Sequence, residues 1–262
     1  MKSLNKVAAR FLNNNSLQHG INKMKVKILT MMVTSLISLS SMAVTIDYRH
    51  EMNDSAKNDH KDRLLMSHRF DNGFGLSMEG KWGQASNDKT PNKPFNETVS
   101  NGTEVTASYL YKFNKTFGLE TGLNMVSTSD SNNYRPYLKG TANITDSLYY
   151  GLRYRASYLR INSKVTSPEP TDMKGYTITS TLGYKLPANF VVEYEFEYDK
   201  KTKAGSVGYV ADNDNYGLTH NVKLAYKYDK NWTPYAEVGN VIGSKTTDER
   251  QTRYRVGVQY NF

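Results

Sequence analysis

Several short segments of this 262-residue chain place arginine and lysine on one alternate parity and apolar residues on the other. "YRPYLKG" sets Arg135 and Lys139 against Tyr134 and Leu138. "YGLRYRASYL" sets Arg153 and Arg155 against Leu152 and Tyr154, and the terminal "TRYRVGVQYNF" sets Arg253 and Arg255 against Tyr254 and Val256. Arg49, Arg63, Arg69, Lys223 and Lys227 stand in similar alternating surroundings. Guanidinium groups donate paired hydrogen bonds to carboxylates, which lysine does less specifically. Cations ranged along a wet passage favour anions, and a file of weak sites would pass a polyanion stepwise.

Catalytic chemistry finds less support. The histidines beyond the leader are His50, His60, His68 and His220. Parity puts His50, His68 and His220 on an apolar face or at a strand rim, and His60 in a loop. Ser67 precedes His68 directly, so on a strand the two point to opposite faces and cannot act as nucleophile and base. The sequence shows no spacing typical of a metal cluster and no glycine-rich phosphate loop. The chain is therefore read as a non-enzyme with no catalytic residues, no metal and no cofactor. Glu193, Glu195, Glu197 and Asp199 share one parity. No packed core accepts four adjacent carboxylates, whereas a water-filled lumen does, and a solvated lumen face is preferred to a cation site.

The elements that must position these residues follow from period-two alternation bounded by turn residues. Twelve segments are predicted: 44–52, 62–70, 74–83, 103–113, 116–126, 134–143, 148–159, 175–186, 190–199, 220–228, 232–241 and the closing strand that ends at Phe262. Tight links at 71–73, 114–115, 144–147, 187–189 and 229–231 alternate with long polar ones at 53–61, 84–102, 127–133, 160–174, 200–219 and 242–251. An even number of strands with short turns at one end and long loops at the other is the layout of an outer-membrane barrel. The predicted fold is all-β, a 12-stranded antiparallel transmembrane β-barrel with both termini on the periplasmic side. Low mean hydropathy excludes a helical membrane protein but not such a barrel.

Closure makes strands twelve, one and two neighbours, and places strands six and seven half a circumference away. Two arginine stripes then face one another, with acids and bases segregated by strand. Arg153, Arg155, Arg253 and Arg255 should lie ~15–23 Å above the periplasmic edge, from about 3.3 Å per residue and a tilt near 40°.

The N-terminal region explains much of the net charge. Lys25 and Lys27 precede an apolar run, 28–39, and then "SSMA", which together read as a signal peptide. Residues 1–43 are assigned to an N-terminal extension and signal peptide with cleavage after Ala43, with Met24 an alternative start, and 44–262 to the barrel. Without the six Lys/Arg of the leader, which has no acid, the net +9 falls to +3. Bulk charge therefore gives no reason to invoke nucleic acid.

The strings "IDYRHEM", "HKDRLLMSHRF", "NGFG", "YRPYLKG", "YGLRYR" and "YRVGVQYNF" resemble the oligogalacturonate-specific porins, from Val44 to Phe262. The resemblance implies a monomeric, narrow outer-membrane channel for acidic oligosaccharides from pectin breakdown. It assigns the basic tracks to Arg49, Arg63, Arg69, Arg135, Lys139, Arg153, Arg155, Arg253 and Arg255, while Lys223 and Lys227 rest on parity alone. A sister branch passes sialic acid, so a sialic-acid or general anion-selective porin is an alternative. An adhesive barrel working through loops 84–102 and 200–219 is another. The implied partners are acidic oligosaccharides, the lipid bilayer with lipopolysaccharide, and the barrel-assembly machinery through Phe262.

Overall fold

The computed structural model describes residues 44–54, 59–84, 93–162, 172–202 and 209–262. The signal segment and the cleavage position after Ala43 lie outside the described residues. Twelve strands run in chain order: β1 Val44–Asn53, β2 His60–Arg69, β3 Phe74–Gln84, β4 Thr98–Lys112, β5 Phe117–Ser127 and β6 Ser131–Asn143. They continue as β7 Leu148–Ile161, β8 Asp172–Lys185, β9 Phe190–Lys201, β10 Tyr216–Tyr226, β11 Trp232–Ile242 and β12 Arg250–Asn261. Each pairs antiparallel with its sequence neighbours, and β12 pairs with β1 to close the barrel. The seam is in register from Thr45 opposite Asn261 to Asn53 opposite Arg253. Its ends are tied by Phe262 N–H to Val44 O at 3.0 Å and Asp54 N–H to Thr252 O at 2.8 Å.

The burial pattern is the reverse of a soluble domain. Met78 and Val256 are 54% and 58% exposed on the outer face, while Asp47 and Asn221 are 3% and 4% exposed. Among the described residues no large side chain is fully buried. A closed sheet with an apolar outside and a polar inside satisfies its backbone only by pairing around the circle, and its outer face needs hydrocarbon.

Short turns at the termini's end are closed by side chains. Asn114 Oδ1 accepts from the N–H groups of Thr116 and Phe117, and Asp229 Oδ1 from those of Asn231 and Trp232. Gly73 turns the chain between β2 and β3 at φ 90°, a left-handed conformation that favours glycine.

Most predicted boundaries move by one or more residues; β8 begins three residues early, at Asp172, β10 four residues early, at Tyr216, and four further shifts bear on the loops or the site. β2 begins at His60, so that residue opens a strand rather than lying in a loop. β4 begins at Thr98, five residues before the predicted start, because its polar first turn still pairs with β3. The connection predicted at 127–133 shrinks to 128–130, where Thr128 Oγ1 accepts from the N–H groups of Asp130 and Ser131. β10 ends at Tyr226, leaving Lys227 in the turn.

Inward tyrosines lie over glycines on the adjacent strand. Gly122, Gly183 and Gly257 stand directly opposite Tyr137, Tyr149 and Tyr235. A Cβ on Gly122 would approach the Tyr137 ring to 2.6 Å. The three phenols donate to Glu120, Glu193 and Asp47. Each glycine therefore makes room for a ring that delivers a hydroxyl to a carboxylate. Gly122→Val should lower unfolding stability by about 1–3 kcal/mol through overpacking. The cost should shrink in a Tyr137→Ala background, measured by urea unfolding in liposomes; equal costs in both backgrounds would contradict the contact.

Candidate functional site: the lumen and its two basic walls

Register and burial place Arg49, Arg63, Arg135, Lys139, Arg153, Arg155, Lys223, Arg253 and Arg255 on the inner face of the sheet. Arg69 also faces inward, near the end where the termini lie. Lys227 is the exception among the predicted residues. It sits beyond β10, exposed in the turn, with its N–H bonded to Asn189 O at 3.0 Å, and so is not a residue of the mid-lumen walls.

The two walls differ in how their charge is compensated. At the seam, Arg255 is held between Glu51 and Glu237, both at 2.7 Å. Arg63 contacts Asp47 at 2.9 Å and Glu79 at 3.5 Å. Arg49 lies 3.8 Å from Glu51, and Arg253 lies 3.8 Å from Glu237 while donating to Asn221 Oδ1 at 2.7 Å. Asp47 also accepts from Tyr235 and Gln259. The expected separation of acids and bases by strand fails here. Asp47 and Glu51 alternate with Arg49 on β1, and Glu237 on β11 stands directly opposite Arg255 on β12.

Across the lumen, β6 and β7 carry a barer set. Arg135 is paired with Glu104 at 2.9 Å and donates to Asn124 at 2.6 Å. Arg153 reaches only the Thr179 hydroxyl, at 3.1 Å. Among the described residues, Lys139, Arg153 and Arg155 have no carboxylate within 4.0 Å. Arg155 faces the like charges of Arg153 and Arg135, with Glu197 and Glu104 as more distant counter-charges. The buried Nε atoms of Arg153 and Arg155 have no hydrogen-bond partner, a feature they share with Arg49, Arg63 and Arg253 at the seam.

The acidic face of β9 is hydrogen-bonded throughout, and among the described residues Glu193 alone of its four acids has a cation within 4.0 Å. Glu193 pairs with Lys223 and accepts from Tyr149. Glu195 accepts from Asn221, Glu197 from Thr179 and Asp199 from Thr177. Arg69 meets Glu120 at 2.8 Å, linking β2 to β5 near the termini's end of the lumen. The inward tyrosines that anchor several of these carboxylates were not singled out from the sequence. The signal was available: Tyr137 lies between Arg135 and Lys139 and Tyr149 shares the parity of Arg153, while Tyr235 shares that of Glu237.

Outside the lumen, the structure joins histidines that parity had separated. On the outer face His50 Nδ1 lies 2.9 Å from Asp62, and His50 Nε2 lies 3.0 Å from His60 Nδ1. Tyr48 donates to the same carboxylate at 2.7 Å, and the Phe95 ring lies 5.1 Å from His50. Ser67 points inward and His68 outward, as period two requires. No group of three or more His, Cys, Asp or Glu side chains among the described residues is placed to hold a metal.

Breaking a buried ion pair leaves its partner charge uncompensated, at a cost of about 3–5 kcal/mol, less where water enters. Arg255→Gln would expose Glu51 and Glu237 to one another and should lower unfolding stability by about 2–4 kcal/mol. Arg153→Gln, with only a hydroxyl to lose, should cost about 1 kcal/mol or less. Urea unfolding of both variants tests this ranking, and equal losses would contradict it.

Comparison with known proteins follows the same lines. The family described as oligogalacturonate-specific porin protein (KdgM) matches residues 37–262. The oligogalacturonate-specific porin KdgM of Dickeya dadantii is 60% identical over 239 residues, covering 91% of this chain and all of that one. A solved structure of a KdgM porin in complex with disordered oligogalacturonate aligns with TM-score 0.62 and 50% identity, covering 83% of this chain and 99% of that one. The NanC porin aligns with TM-score 0.67 at 18% identity, covering 83% of this chain and all of that one, and this likeness bears on the fold alone.

Proposed function

The chain belongs to the oligogalacturonate-specific porin family, and on that premise we propose that its lumen conducts oligogalacturonates along two facing basic walls. It is an outer-membrane β-barrel porin, and residues 1–43 act in this reading as the signal that exports it. The observation that carries the proposal is the set Lys139, Arg153 and Arg155, which has no carboxylate within 4.0 Å among the described residues. A galacturonate unit carries one carboxylate, which would supply these three cations with what Glu51 and Glu237 already supply to Arg255. The seam wall contributes a fixed array whose net charge is small, so it orients the chain more than it holds it. This division suits transport, because a polyanion gripped equally from both sides would leave slowly.

Two further parts belong to this reading. Inward Lys223, which is paired with Glu193, trims the acidic face of β9 rather than binding substrate. The terminal Phe262, whose N–H closes onto Val44 O, would serve recognition by the barrel-assembly machinery, and the channel would act as a monomer.

In planar bilayers, oligogalacturonate added to one side should block the current transiently. The double variant Arg153→Glu, Arg155→Glu should raise the half-blocking concentration at least ~10-fold, since each lost charge-assisted contact is worth on the order of 1 kcal/mol. A neutral maltooligomer of similar length should block both proteins alike. Unchanged oligogalacturonate block in the double variant would refute the assignment of these residues.

A further inference from the structure

Nearly every lysine and arginine on the described strands points into the lumen, and the exceptions are not scattered. Four point outward: Arg160, Lys174, Lys200 and Arg250. Arg250 is occupied, donating to Asn240 Oδ1 at 2.8 Å and to Asn240 O at 2.9 Å. The other three stand on the consecutive strands β7, β8 and β9. On each, the cation lies two residues beyond an outward tyrosine in the direction away from the termini: Tyr158 then Arg160, Tyr176 then Lys174, Tyr198 then Lys200.

The register makes these one patch. Arg160 is opposite Asp172 and Lys174 opposite Tyr158, while Lys200 is opposite Tyr176. Lys174 is therefore the diagonal same-face neighbour of both other cations, at about 7–8 Å. Arg160 and Lys174 are exposed and Lys200 is half-buried. Among the described residues none of the three has a carboxylate within 4.0 Å. The acid beside them, Asp172, accepts from Tyr158 at 3.4 Å. Below the cations runs a row of neighbouring rings, Tyr154–Tyr176 stacked at 5.5 Å, Tyr176–Tyr198 tilted at 6.1 Å and Tyr198–Tyr216 stacked at 5.9 Å.

An outward cation is costly in hydrocarbon and cheap only at the membrane interface, the level that stacked outward tyrosines mark. Three like charges held together there, without a carboxylate within 4.0 Å among the described residues, fit a multiply charged anion. We propose that Arg160, Lys174 and Lys200 form a binding site for the phosphorylated sugar headgroup of an outer-leaflet glycolipid, that is, lipopolysaccharide, with the tyrosine row set against its sugars and acyl chains. The site replaces with fixed cations the divalent ions that otherwise bridge such phosphates. The inference rests on the outer-membrane reading above, with the termini on the periplasmic side, but not on what the lumen conducts.

The test compares the folded protein with the Arg160→Gln, Lys174→Gln, Lys200→Gln variant, each purified in detergent and washed with EDTA. Lipopolysaccharide binding is read by native mass spectrometry, and folding by heat-modifiable migration on gels. The native protein should bind lipopolysaccharide at least ~5-fold more tightly than the triple variant, and Arg250→Gln should bind as the native protein does. Lipopolysaccharide stripped of its lipid A phosphates should abolish the difference. If the triple variant does not fold, the double variant Lys174→Gln, Lys200→Gln carries the same comparison. Equal binding by native and variant proteins overturns the proposal, as does indifference to dephosphorylation. Equally tight capture of inorganic phosphate overturns the glycolipid assignment in favour of a simple anion patch. Oligogalacturonate block should be unchanged in the variant, so failure here is distinguishable from failure of the channel reading.

Discussion

The pairing of β12 with β1 is the contact on which the rest depends. A sheet of twelve strands left open would present two unpaired edges to hydrocarbon, where no water can satisfy them. Closure removes both edges and also completes the charge network of one wall. Arg253 and Arg255 enter from the last strand, Asp47, Arg49 and Glu51 from the first, and Glu237 from β11. The guanidinium of Arg255 bridges carboxylates more than two hundred positions and fewer than twenty positions away in the chain. The seam is thus held by ladder hydrogen bonds on the backbone and by ion pairs on its inner face.

That local self-sufficiency sets the contrast across the pore. One wall compensates its own charge, whereas Lys139, Arg153 and Arg155 have no carboxylate within 4.0 Å among the described residues, and in the proposed function their field is left for a ligand. Removing counter-charges from a packed core would be prohibitive, but a wet lumen solvates what the chain leaves unpaired. The same accounting explains β9. Of its four inward acids Glu193 is paired with Lys223, while Glu195, Glu197 and Asp199 are oriented by the neutral donors Asn221, Thr179 and Thr177 and keep their charge. Charge on the inner surface is decided residue by residue through cross-strand neighbours rather than strand by strand.

Period two made much of this readable in advance. It separated Ser67 from His68, turned Arg153 and Arg155 inward and counted the strands, because lipid demands apolar side chains at alternate positions. It was silent where lipid is absent. The polar start of β4 at Thr98 and the Ser131–Asn133 start of β6 carry no apolar alternation yet remain paired, so they looked like loop. Alternation also ran past the last rung at Tyr226, which misplaced Lys227. Which carboxylate sits beside which arginine depends on the stagger between strands, and parity fixes only the face. The three tyrosine–glycine pairs, the interleaving of Asp47 and Glu51 with the seam arginines, and the joining of His50, His60 and Asp62 all come from that stagger.

On the proposed reading, a basic wall without close carboxylates should impose an anion preference on small ions as well as on oligogalacturonates. The most direct measurement is the reversal potential of single channels in a KCl gradient, repeated as mean ionic strength rises from about 0.1 M to about 1 M, where the screening length shrinks from ~10 Å to ~3 Å. The account predicts a reversal potential of anion-selective sign that decays toward zero at high salt, and is diminished by Arg153→Gln with Arg155→Gln. A cation-selective sign, or an anion preference indifferent to those two substitutions, would contradict it.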